Sequence, residues 1–321
     1  MAHPRSRRLV PLLSLIGLLL VPLFLGTYPM FVLTSILILS IFAMSLDVLI
    51  GHLGYTSFGH AAFFGVGTYA AVIGARLGQP FWSDALIALA AVVVVALMFG
   101  PIALRTTGLA FIMISLALAQ ALWGLAYRWS SVTGGDNGLS AALRPAFPGL
   151  GRLESTHAFY YFVVAAFVMV LAALHVVVRS PFGASWRGIR DSEVRMQAVG
   201  YNTWLHKYVA YVVAAFFAGI AGVLNASLTG FVSPDALSIG NSATAILMVI
   251  LGGPGTLIGA SLGAGTIVVV REFVSSATER WTLVLGVVYV VTVMFIPGGL
   301  MGIFRRSTPT PLVHKEPETE S

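Results

Sequence analysis

The 321-residue sequence predicts an all-α integral membrane protein, and three observations carry that prediction. Hydrophobic residues make up 58% of the chain and charged residues 9%, far from the balance of a water-soluble domain. The apolar residues come in continuous runs near the length a helix needs to cross a bilayer, without the alternation of a membrane strand. The 34 glycines suit packed transmembrane helices, where a missing side chain lets backbones approach closely. The formal charge of +6 gathers at the ends of the apolar runs, a pattern of membrane orientation and not of nucleic-acid binding. With no cysteine, disulfides and thiolate metal sites are excluded.

Taken in order, Arg5, Arg7 and Arg8 precede an apolar run from Leu9 to Gly26. A cleaved signal peptide starts the same way, but no small-x-small cleavage site follows, so the run reads as a retained first span. Further spans are expected at Met30–Ile50, Ala61–Ala75, Ser83–Leu104, Gly108–Tyr127, His157–Val178, Tyr208–Leu228, Asn241–Leu251, Gly259–Val274 and Trp281–Ile296, about ten in all. Several are short and borrow length from Gly-rich flanks. With the N-terminus inside, alternation assigns twelve of the 18 Lys and Arg residues to the inner side. The other six, Arg76, Arg128, Arg144, Arg152, Arg271 and Arg280, fall outside. This bias obeys the positive-inside rule and puts both termini in the cytoplasm. Residues 1–306 form the transmembrane domain, with an outer loop at 128–156 and a cytoplasmic loop at 180–207. The Pro-, Thr- and Glu-rich tail 307–321 reads as disordered.

Two Gly-rich segments occupy matching places, each between a descending and an ascending span on the inner side. One runs through Gly51, Gly54, Gly59 and His60, the other through Gly252, Gly255 and Gly259. Interrupted segments in two halves point to an internal repeat around a transport path, here a parallel one. Recurrence of Gly-rich turns in tight hairpins fits equally well. Asp47, near the inner end of the second span, either forms a relay with His52 or His60 or, the preferred reading, bonds the Gly-rich turn just after it. His60 reads as a hydrogen-bonded hinge residue, since no second ligand lies at helical spacing. Phe111, Ser115 and Gln120 are candidate path-lining groups on the fifth span.

The one long polar island is Ser180–Lys207. Asp191 or Ser192 offers an N-cap and Gly200 a C-terminal stop for a helix of about two turns. A helix so short does not hold itself up in water. With Val194 and Ala198 on one side and Met196 and Val199 on another, it calls for a second surface to wedge against. Arg187, Arg190 and Arg195 suit either an acidic-edged cleft or the anionic inner leaflet. No G-x-x-x-x-G-K-[ST] phosphate loop and no nucleophile–base constellation occurs, so a motor, if one drives the chain, is a separate protein. On the outer side, Thr133, Gly134, Gly135, Asp136 and Asn137 form a turn-rich stretch that either presents Asp136 and Asn137 to a docking protein or closes on itself.

Several stretches together carry a resemblance: GHLGYTSFGHAAFFGVG (51–67), SVTGGDNGLS within 108–140, SPFG and RDSEVRMQAVGYNTW within 180–207, and ILGGPGTLIG (250–259). In this order they resemble the branched-chain amino acid ABC-transporter permeases, specifically the longer of their two permease subunits. The loose importer pattern of an acid and an alanine before a glycine would be carried by Glu193, Ala198 and Gly200. His52 stands where the family often has an aromatic residue, and Asn137 where an acid is common; both departures bear on substrate preference. The resemblance implies a homologous second permease, two cytoplasmic ATPase subunits holding ATP and Mg, and a periplasmic binding protein; this chain itself would hold no cofactor. It implies coupling through Arg187, Arg190, Asp191, Glu193, Arg195, Ala198 and Gly200. Branched-chain amino acids are the expected cargo, with urea or short amides as the alternative in the same class. A lone ion-coupled carrier is the rival class, and few ionisable residues in the spans argue against it.

Overall fold

The computed structural model describes residues 26–141, 143–147, 151–152, 155–277, 283–284, 286–287, 290 and 298–304. Nearly all of the expected first span, most of the last and the tail 307–321 lie outside the described residues. Each of the eight apolar stretches between them coincides with a helix: α1 (Thr27–Asp47), α2 (His60–Arg76), α3 (Phe81–Ala103), α4 (Gly108–Arg128), α5 (Thr156–Arg179), α8 (Thr203–Thr229), α9 (Ile239–Gly252) and α10 (Leu257–Ala277). The polar island holds two helices where the sequence suggests one, α6 (Pro181–Asp191) and α7 (Glu193–Ala198), and α11 is Gly299–Phe304. Strands are confined to two-residue pairs in the loops: β1 (Leu139–Ser140) with β4 (Phe231–Val232), and β2 (Ala146–Phe147) with β3 (Gly151–Arg152).

Among the described residues, six helical segments are long and apolar enough to cross a membrane: Thr27–Leu53, Phe81–Ala103, Gly108–Arg128, Thr156–Arg179, Thr203–Thr229 and Leu257–Ser275. Helices α2 and α9 are shorter because each abuts a glycine break. Past Asp47, α1 continues as a π-helical turn, Val48–Leu53, and stops at Gly54, whose φ of 83° needs no Cβ. Helix α9 ends at Gly253, with φ 106°.

Apolar character does not decide which helix is central. Helix α3 is the most apolar span, yet 22% of its best window is buried, against 72% for α1 and 67% for α8. For α8, small residues supply the close packing. Helix α8 carries Ala210, Ala214, Ala215, Ala218, Gly219, Ala221 and Gly222, all buried, and packs against α1, α2 and α3. In lipid, where neighbouring tails are as apolar as leucine, such close approach is what holds helices together. At Gly222 the backbone meets α2 directly: Thr68 Oγ1 donates to the Gly222 carbonyl at 3.1 Å, and an added Cβ would collide with the Phe64 carbonyl.

The connections sort to two ends. The glycine breaks, the α3–α4 turn and the α6–α7 pair share one; Gly54, Thr107 and Glu193 line one cavity there. The loop after α4 and the α8–α9 connection share the other, where β1 pairs with β4 and Arg76 Nε donates to the Ser140 carbonyl at 3.0 Å. Replacing Gly222 by valine should lower the thermal midpoint in detergent, as about 1–3 kcal/mol of overpacking requires. Gly124→Val, where an added Cβ meets nothing within 4 Å, is the control expected to melt like wild type.

Candidate functional site

The first cluster, at the end that holds the α6–α7 pair, joins the two glycine breaks. Asp47, fully buried, accepts the Gly255 amide on Oδ1 at 2.7 Å. The sequence reading placed this bond on the turn just after Asp47. The structure corrects it, because that turn is π-helical and the carboxylate reaches the other break instead. Gly51 lies against the Gly255 backbone so closely that any Cβ there would collide with it. Arg190 of α6 completes the junction: Nη1 donates to the Gly51 carbonyl, and the side-chain stem lies over Gly54. The relay expectation separates likewise. His52 Nδ1 lies 3.2 Å from the Asp47 carbonyl and 3.8 Å from Oδ2, whereas His60 turns away to Ser45 Oγ at 2.8 Å and stacks on Phe42.

Helices α6 and α7 are built by their caps. Ser180 accepts the Gly183 amide at 3.5 Å and Pro181 takes the first helical position, where its missing N–H costs nothing. Trp186, fully buried, anchors α6 by donating Nε1 to the His206 carbonyl at 2.9 Å, and Arg187 Nη1 donates to the Val178 carbonyl at 2.8 Å. Ser192 caps α7 through the Arg195 amide at 3.4 Å. Its other end is a Schellman motif, with Gly200 at φ 92°, Gly200 N bonded to Gln197 O at 2.9 Å and Tyr201 N to Met196 O at 3.0 Å. Asp191, Arg195, Ala198 and Gly200 are exposed, as are Val194 (76%) and Val199 (75%), the apolar pair that asks for a surface.

Glu193 behaves differently from its neighbours. Its Oε1 accepts Lys207 Nζ at 2.7 Å, Thr203 Oγ1 at 3.0 Å and Gln197 Nε2 at 3.5 Å, and Oε2 accepts the Tyr55 hydroxyl at 3.4 Å. Lys207 Nζ also donates to the Tyr55 oxygen at 3.3 Å, and Tyr55 meets Phe111 edge to face at 5.0 Å. Beside Glu193 opens a cavity of about 410 Å³ lined by Gly54, Tyr55, Thr107, Phe111 and Ile112 among others. Tyr55, Thr203 and Lys207 were not singled out from the sequence. The available signal was a lysine and a threonine in the first turn of an otherwise apolar helix.

Of the remaining candidates, Phe111 belongs to the cavity wall, Ser115 is buried with its carbonyl against Gly59, and Gln120 is half-buried. Gly252 packs on Gly259 across the second break. In the opposite loop, Thr133 Oγ1 ties to the Ala126 and Trp129 carbonyls at 2.5 and 2.7 Å, while Gly134 and Gly135 turn the chain with positive φ and leave Asp136 and Asn137 exposed. No group of three or more His, Asp or Glu that could hold a metal occurs among the described residues.

The family described as branched-chain amino acid transport system / permease component matches residues 28–296. This chain belongs to that family. It is similar to the high-affinity branched-chain amino acid transport system permease protein LivM of Escherichia coli K12, 28% identical over 303 residues, covering 87% of this chain and 71% of the relative. LivM of Salmonella typhimurium LT2 is 28% identical over 295 residues, covering 85% and 69%. A shorter likeness, 32% over 103 residues, joins it to the autoinducer 2 import system permease protein LsrC of Photorhabdus laumondii, covering 30% of this chain and 31% of that one. Family and helices together make the protein a multi-pass membrane permease of a branched-chain amino acid transport system.

Two outcomes are expected. Asp47→Ala strips the Gly255 amide of its acceptor, a loss of about 1–3 kcal/mol for a buried donor, and should speed hydrogen exchange at Gly255; Asp47→Asn, which keeps an oxygen, should not. Burial pushes the Glu193 carboxyl up, but hydrogen bonds from Lys207, Thr203 and Tyr55 with the lysine charge outweigh it and hold it below its ordinary value. A depressed carboxylate keeps its full contribution above the ordinary glutamate value of about 4.3 and loses it as pH falls through the lower folded-state value. A spin-label distance between α7 and α8 should therefore stay constant from about pH 8 to about pH 5.

Proposed function

We propose that the chain is the membrane-spanning permease subunit of an ATP-driven importer for leucine, isoleucine and valine delivered by a periplasmic binding protein. The observation that carries the reading is the α6–α7 pair. It is anchored into the bundle by Trp186 and Arg190 and yet offers Val194 and Val199 outward, unpaired with any apolar surface of the described chain. A short helix rooted on one side and apolar on the other fits a lever gripped by a partner. In this reading the partner is one of two cytoplasmic ATPases that bind ATP and Mg, and a homologous second permease completes the path. Closure of the ATPases would move the helices as rigid bodies between outward- and inward-facing arrangements.

The cargo follows from likeness to the two LivM proteins over most of the chain. The orientation follows from the basic bias: the α6–α7 end faces the cytoplasm of a bacterial inner membrane, and Asp136 and Asn137 face the binding protein. About ten spans complete the topology once the stretches at 9–26 and 281–296 are counted. An ion-driven carrier is disfavoured by the likeness to transport-system permeases over most of the chain; the buried carboxylates Asp47 and Asp84 are the groups such a carrier would use.

The test is uptake of labelled leucine into vesicles holding both permeases, both ATPases and the loaded binding protein. Uptake should require ATP and survive an uncoupler. Uptake without the ATPases, collapsing with uncoupler, would overturn the reading; import of urea or short amides in place of leucine would overturn the cargo. Gly200→Pro, which places a residue fixed near φ −65° where φ is 92°, should lower uptake at least tenfold with the spans still folded. Normal uptake and ATPase association in that variant would count against coupling through α7.

A further inference from the structure

We propose that Tyr55, Glu193 and Lys207 form an internal brace that sets α7 against the transmembrane bundle, so that Glu193 works within its own chain and does not contact the ATPase. The inference rests on the coupling role proposed above for α7.

Helix α7 has six residues, none of them buried, and is too short to be stable alone. Three side chains hold it from within the chain. The Met196 thioether lies on Gly188 of α6. Gln197 Nε2 donates to Thr203 Oγ1 at 3.1 Å. The Glu193 carboxylate is the third, and its partners come from two different places: Lys207 and Thr203 near the start of α8, and Tyr55 in the break that follows α1. One side chain thus ties the short helix to the ends of both central spans.

An ordinary surface ion pair would contribute little, because water screens it and both side chains lose freedom in making it. This pair is of another kind. The Lys207 side chain is 5% exposed and the Glu193 side chain 26%. The lysine has left water, and its acceptors are Glu193 Oε1 and the Tyr55 hydroxyl. A docking partner that drew Glu193 away would strand a buried ammonium, which is far more costly than losing an exposed pair. The residues free to meet a partner are exposed ones, Val194, Arg195, Ala198 and Val199 among them. Beside Glu193, the cavity of about 410 Å³ running to Thr107 and Phe111 leaves room for α7 to shift toward the start of α4. The brace is therefore a link with clearance on one side, able to pass a displacement of α7 to α1 and α8. Tyr55 and Lys207 are positioning residues in it.

The experiment uses the full importer in vesicles and reads two quantities, leucine imported per ATP hydrolysed and ATPase subunits retained on the permease. Glu193→Gln and Lys207→Met should each retain the ATPase subunits while import per ATP falls at least fivefold. The swap Glu193→Lys with Lys207→Glu should return import per ATP to within about twofold of wild type, since the reversed pair makes the same contact. Release of the ATPase subunits by Glu193→Gln but not by Lys207→Met would overturn the proposal, because it would make Glu193 a docking contact. A swap no better than the single variants would overturn it as well. Should the single variants fail to assemble, Tyr55→Phe decides: it removes one hydroxyl, and an unchanged ratio refutes the brace. The proposed function is judged separately on the wild-type importer, where leucine uptake without ATP would sink it before any variant is compared.

Discussion

A carboxylate buried at the end of a membrane span must meet a donor, and Asp47 meets one 208 residues away, at the Gly255 amide. Much of the end that holds the α6–α7 pair follows from that contact. It brings the two glycine breaks to one place, and Gly51 can lie against the Gly255 backbone because neither residue carries a Cβ. The bare carbonyl of Gly51 then needs a donor of its own, and Arg190 supplies it from α6. An acid in one half, an amide in the other and a guanidinium from the polar loop make a single joint. A charge-assisted bond in a setting poor in water is also stronger than its surface equivalent.

From this joint the mechanics can be traced. Helices α1 and α8 are the most buried spans; the end of α1 and the start of α8 meet among the polar groups around Glu193. Deeper in the bundle some polar groups serve packing: Thr68 reaches the Gly222 carbonyl, and Ser45 meets His60. In the proposed importer whole helices shift, and force would enter at an end, where rigid elements meet the α6–α7 pair.

The apolar runs made the helices legible, since a continuous stretch of that length has few other uses. They did not make burial legible. Helix α3 reads as more apolar than α8 yet lies nearer the outside, so hydrophobicity alone does not choose the centre of a bundle in lipid. The caps of α7 were readable at Ser192 and Gly200, whose residue types fit one conformation each. Helix α6 is not evident although Ser180-Pro181 is a start signal, because its few buried residues, Ser185, Trp186 and Ile189 among them, lie within a stretch that reads as uniformly polar. The Asp47 bond was assigned to the wrong turn for a simpler reason. Local spacing predicts local partners, and nothing in the sequence marks an amide 208 residues away.

Glu193 shows why residue type alone misleads at such a site. An acid in an exposed-looking polar loop invites a reading as an intermolecular contact, and the family pattern encourages it. Its surroundings argue otherwise: a buried lysine 14 residues on and a tyrosine 138 residues back already satisfy it. Met196 also rests inward, on Gly188, while Val194, Arg195 and Val199 stay open. The proposed lever needs both, a fixed side that passes movement inward and a free side to be gripped. Were Glu193 on the gripping side, each engagement would have to strip Lys207 of its counter-charge, and that cost would oppose the docking it was meant to serve.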